Sequence, residues 1–136
     1  MNASMTALLG FAGWTVLLVF VILLYRAGLV FTGKKKANSW PRGTTPSDDP
    51  PILVRVRDAH LNCLEGLPIF AAILLAAAMG GKLHVTNPVA MWVLYARVAQ
   101  SVTHFIGTTH WLVFIRANFL GLQLLLYSWM IWGLLH

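Results

Sequence analysis

The sequence predicts an all-α integral membrane protein, a four-helix up-down bundle, from three observations. Hydrophobic residues make up 58% of the 136-residue chain and charged residues only 10%, against about 25% charged in an ordinary soluble domain. Four stretches are long and apolar enough to cross a bilayer, which takes roughly 20 residues. Two of the three connections between them are short, so consecutive helices are expected to pack antiparallel. So few polar side chains cannot cover the exterior of a soluble fold of this size. Lipid must be the solvent for most of the surface, and the whole chain, 1–136, is expected to form one domain.

The first helix is expected over residues 5–31, ending at Thr32-Gly33, where glycine can stop a helix. No charged side chain occurs before Arg26. A secretory signal needs a basic start and a small-residue cleavage site, so this segment reads as a retained helix. The second helix is expected over 51–79, closing at Gly80-Gly81. The third is expected over 88–108, with Thr86 or Asn87 as N-cap and Pro88 at the first helical position. The fourth is expected over 112–135. Residues 33–50, rich in Pro, Gly and polar side chains, form the one sizeable loop. No internal repeat is evident.

Charge sets the orientation. Six of the ten Lys and Arg residues (Lys34, Lys35, Lys36, Arg42, Arg55 and Arg57) follow the first hydrophobic stretch and precede the apolar part of the second. That bias places loop 33–50 in the cytosol and both termini on the non-cytosolic side. The net charge of +6 does not indicate nucleic acid, because the basic residues cluster at one loop instead of interleaving with aromatics. Lys34-Lys35-Lys36 reads as a topology anchor near anionic headgroups. The single cysteine, Cys63, rules out an internal disulfide framework. No closely spaced set of His, Cys, Asp and Glu offers a metal site.

Polar side chains inside a bilayer cost roughly 2.5–3.5 kcal/mol when charged and are expected to face protein or water. In the second helix Arg55, Asp58, Asn62 and Glu65 form one stripe at helical spacing, while Arg57 and His60 lie on another face. In the third, Arg97, Gln100, Ser101 and His104 repeat the pattern. In the fourth, Arg116, Gln123 and Tyr127 share a face. His104 lies about 10 Å nearer the cytosol than Arg97 at 1.5 Å per residue. The three stripes are therefore expected to converge in one net-positive pocket near the inner leaflet. Within it Glu65 and Arg97 are expected to neutralise one another.

The run Arg57-Asp58-Ala59-His60-Leu61-Asn62-Cys63-Leu64-Glu65-Gly66-Leu67-Pro68 resembles the second-helix signature of the MAPEG family, membrane-associated proteins in eicosanoid and glutathione metabolism. Ala59, His60, Asn62, Glu65 and Pro68 carry the match. Ala96-Arg97-Val98-Ala99 is similar to the family's third-helix element, and the resemblance extends over essentially the whole chain. It implies a homotrimer of four-helix subunits with glutathione bound between neighbours near the cytosolic side. On that analogy Asn62 and Glu65 hold glutathione, Arg97 supports Glu65, and Arg55, Asp58 and Gln100 line the same pocket. His104 stands where relatives often carry a ligand-contacting tyrosine. Arg116 is the candidate catalytic residue, its cation stabilising the glutathione thiolate. Asp58 stands where many members carry arginine, and Leu61 where some animal enzymes do.

The function expected is a glutathione-dependent transferase or peroxidase acting on lipophilic electrophiles or lipid hydroperoxides. The alternative is a non-catalytic lipid-binding or partner-binding membrane protein of the same fold, since the family includes a lipid-presenting member. A small transporter or channel subunit is a third option, suggested by Arg97, but no broken helices or inverted repeats accompany it. The expected membrane is a bacterial inner membrane.

Overall fold

The structure, a computed structural model, describes residues 1–40 and 49–136. Residues 41–48 of loop 33–50, Arg42 among them, lie outside the described residues. Four helices follow in order: α1 (Ala3–Phe31), α2 (Pro51–Met79), α3 (Leu83–Ile106) and α4 (His110–Leu135). No strand occurs among the described residues. The α2 and α3 helices form the middle of the bundle. Helix α1 packs on both of them, and α4 packs chiefly on α3 with a smaller contact to α2.

Turn chemistry accounts for four of the eight helix ends. Asn2 caps α1, its side-chain oxygen accepting from the Met5 N–H at 2.9 Å. At the other end Gly33 adopts φ 75°, which lets the Lys34 N–H reach back to the Leu29 carbonyl at 2.9 Å. Helix α2 stops in the same way: Gly81 has φ 67°, and the Lys82 N–H meets the Ala77 carbonyl at 2.8 Å. Thr109 caps α4 through its side chain.

Helix α3 begins at Leu83, five residues before the proline expected to open it, so Pro88 lies inside the helix. Thr86 and Asn87 do not cap α3. They bind the start of α1 instead: the Thr86 and Ser4 hydroxyls meet at 2.6 Å, and Asn87 Oδ1 accepts from the Ser4 N–H at 3.0 Å and its hydroxyl at 2.6 Å. Tertiary partners for these side chains have replaced the local cap that their positions suggested. Helix α4 likewise starts two residues earlier than expected, at His110.

Three helices, α1, α2 and α4, are long and apolar enough to cross a membrane by length and composition. Helix α3 is not among them, because Arg97, Gln100, Ser101, Thr103 and His104 lower its hydropathy. All five are buried among the helices, while its outward face carries Trp92, Tyr95, Val102 and Ile106. It therefore presents an apolar surface to lipid even though its composition is mixed. Exposed leucines, phenylalanines and valines cover α1 and α4 as well.

The core runs along the bundle axis. Phe11, Phe70 and Tyr127 link α1, α2 and α4 through ring contacts of 5.6 and 5.9 Å. Ala59, Cys63, Gly66, Leu74 and Ala77 form the inward face of α2, with Ala90, Val93 and Met130 beside it.

Candidate functional site

At the end of the bundle that holds the α1–α2 and α3–α4 connections, three helices place polar side chains in contact. His104, in the last turn of α3, is buried. Its Nδ1 lies 2.6 Å from Nη1 of Arg116 on α4, and its Nε2 lies 2.7 Å from the side-chain amide of Asn62 on α2. Arg116 is half-buried. Beside them Arg55 Nε donates to the Phe105 carbonyl at 3.0 Å, satisfying one of the orphan acceptors at the C-terminal end of α3. One helical turn deeper, Gln123 of α4 donates to Gln100 of α3 at 2.9 Å, both side chains being buried.

Deeper still lies Arg97, only 2% exposed. Its guanidinium sits over the Phe11 ring, 5.3 Å from the centroid, a contact in which the ring face attracts the cation. Gly66 makes room on the α2 side: a Cβ there would approach Arg97 Nη2 to 2.6 Å. Ser101 accepts from Trp14 Nε1 at 3.0 Å and donates to the Arg97 carbonyl at 3.1 Å. The Arg97 Nε and Tyr127 hydroxyl have no protein hydrogen-bond partner among the described residues.

The convergence expected from sequence is thus formed in part. Arg55, Asn62, His104 and Arg116 meet at one end, and Gln100 and Arg97 continue the polar column inward. Glu65 does not join it. It is exposed on the outer face of α2, and the ion pairs formed among the described residues do not include a Glu65–Arg97 pair. Asp58 also faces outward, its side chain 50% exposed and 3.8 Å from Arg57. His60, which sequence spacing set on a separate face, donates from Nδ1 to the Thr15 carbonyl of α1 at 3.1 Å. Gly66 was not among the expected site residues. Its signal was an isolated glycine inside a helical pattern, which often marks close approach of another group.

An apolar-walled helical bundle with three helices long and apolar enough to cross a membrane, and a cationic, hydrogen-bonded cluster near one end, has the build of an integral membrane protein. The chain belongs to the MAPEG family, whose model matches residues 6–136, nearly its full length. It is therefore a membrane protein of the glutathione and eicosanoid metabolism type. No curated protein and no solved structure gives a significant match.

Proposed function

We propose that this protein is a glutathione-dependent transferase or peroxidase that acts on lipophilic electrophiles or lipid hydroperoxides. The observation that carries the reading is the state of Arg116. Its guanidinium is half-buried and its hydrogen-bond partner is a histidine ring, with no carboxylate paired to it among the described residues. A cation so placed keeps its charge available to an incoming anion. Beside a thiol it favours the thiolate, the nucleophilic form.

The chemistry follows from that thiolate. With an aryl halide, the sulfur forms a bond to the ring carbon and halide leaves with the bonding electrons. With a lipid hydroperoxide, the sulfur attacks the terminal oxygen and the O–O bond breaks. The lipid leaves as an alcohol after taking up a proton, and a second glutathione releases water from the sulfenic acid to give the disulfide. The protein's own residues bind and orient glutathione, while the second substrate arrives from the bilayer.

The outward carboxylates support a homotrimer. Glu65 and Asp58 share the exposed face of α2 with Leu61 and Ala72. A carboxylate left against lipid costs roughly 2.5–3.5 kcal/mol. Cover by a neighbouring copy removes that cost and returns Glu65 to a protein-lined site between subunits. With the basic loop in the cytosol, the Arg116 cluster opens to the cytosolic glutathione supply. The termini then lie on the other side of a bacterial inner membrane.

Glutathione turnover with a generic aryl halide, measured on detergent-purified protein, tests the reading. Turnover in the wild type that is abolished in Arg116→Ala supports it; a wild type that does not conjugate overturns it. The second reading is a non-catalytic lipid-binding protein. It is favoured by an open, largely apolar face of α4 formed by Phe114, Ala117, Asn118, Gly121, Leu125 and Ser128. A co-purifying lipid seen by native mass spectrometry, with no thiol turnover, selects that alternative.

A further inference from the structure

We propose that Asp58 is a specificity residue of the same site: its carboxylate takes the ammonium group of a ligand whose anionic end is held by Arg116. The inference deepens the glutathione reading and rests on it, because glutathione carries a free ammonium on its γ-glutamyl end.

Placement carries the argument. Arg55 and Asn62 lie two helical turns apart on one face of α2, and both touch the last turn of α3. Arg55 Nε donates to the Phe105 carbonyl at 3.0 Å, and the Asn62 amide lies 2.7 Å from His104. Asp58 falls between them along the helix, turned about 40° from Asn62 at about 100° per residue. Its carboxylate therefore stands beside the same end of α3. The His104 ring feels that carboxylate as well as the Arg116 guanidinium, whose Nη1 lies 2.6 Å from the ring. Glu65, the other carboxylate on the outer face of α2, lies about 10 Å farther from the open end of the cluster at 1.5 Å per residue.

Asp58 is also available to a ligand. Its side chain is 50% exposed, and its ion pair is a 3.8 Å contact with the adjacent Arg57. A pair this long between partly exposed groups contributes little, so a ligand cation can replace Arg57. Neither Arg55 nor Arg116 pairs with Asp58 among the described residues. A site built for anions alone gains nothing from a carboxylate at its mouth, which repels them. Guanidinium and carboxylate together select a zwitterion and turn away a wholly anionic thiol, a preference obtained through a repulsive element.

The test compares glutathione with N-acetylglutathione, in which the ammonium is blocked and the thiol and both carboxylates are kept. Isothermal titration on the detergent-solubilised chain should show wild type binding glutathione about tenfold or more tightly than the blocked thiol. Asp58→Asn should weaken glutathione binding by about tenfold, as loss of a hydrogen bond between charged groups does. The same variant should bind N-acetylglutathione as tightly as wild type or more tightly, because the repulsion is gone, and that binding shows that it is folded. Asp58→Glu, which keeps the charge, should keep most of the preference. A wild type that binds both thiols equally overturns the proposal and leaves the glutathione reading in place, as does an Asp58→Asn variant that loses affinity for both alike. A preference that survives Asp58→Asn and is lost in Glu65→Gln assigns the ammonium to the deeper carboxylate and also overturns it. A wild type that binds neither thiol removes the reading and the proposal together.

Discussion

Arg97 and Gly66 are a matched pair, and each explains the other. The guanidinium is boxed between the Phe11 ring and the α2 backbone, with 2% of the residue exposed. A methyl group at 66 would meet Nη2 at 2.6 Å, and the buried cation has little space into which to retreat. We expect Gly66→Ala to destabilise the protein by about 1–3 kcal/mol, the usual range for overpacking, as measured by unfolding in detergent. Unchanged stability would mean that the guanidinium can shift freely. Spacing alone placed Arg97, Gln100 and His104 on one inward face, and all three are buried there. The same method put Glu65 in that company, and its position on the helix shows why it failed. At about 100° per residue Glu65 is turned about 60° from Asn62, on the side away from Cys63 and Gly66. A stripe this broad spans both the inner and outer faces of α2, and only packing decides where the boundary falls.

Helix α3 is the element that hydropathy reads least well and packing explains best. Its polar residues are spent on neighbours: Arg97 on Phe11, Gln100 on Gln123, Ser101 on Trp14 and His104 on Asn62 and Arg116. Its start was misjudged because Pro88 and Asn87 look like a helix opening. The Ser4 contacts that draw Thr86 and Asn87 toward α1 join residues more than 80 positions apart in the chain, beyond the reach of a local pattern. Its end depends on Arg55. Arg55→Met removes the donor to the Phe105 carbonyl, and loss of a charged hydrogen bond costs about 1.5–3 kcal/mol. Hydrogen exchange should accelerate over residues 103–106 and remain unchanged near Ser4. Uniform acceleration along α3 would show that Arg55 supports the whole bundle instead of one helix end.

At the scale of the molecule, the apolar exterior and the four helices were legible in composition and spacing, because lipid imposes both. An oligomeric state is not legible in the same way, because a surface that a neighbour would cover looks in one chain like any other helix face. The charge bias predicts the sidedness. In a Cys63→Ser background, His84→Cys should react with an impermeant thiol reagent applied to intact cells. Ser39→Cys should react only after the membrane is opened. Both positions are exposed and lie at opposite ends of the bundle. The reverse labelling pattern would invert the topology and remove the cytosolic site.

The central claim is that Arg116, in contact with His104, holds glutathione at the membrane boundary. Isothermal titration of glutathione into detergent-solubilised protein tests it most directly. The account predicts saturable binding to the wild type and a loss of about tenfold or more in Arg116→Ala. A wild type that shows no binding heat, or an Arg116→Ala variant that binds as tightly, would contradict it.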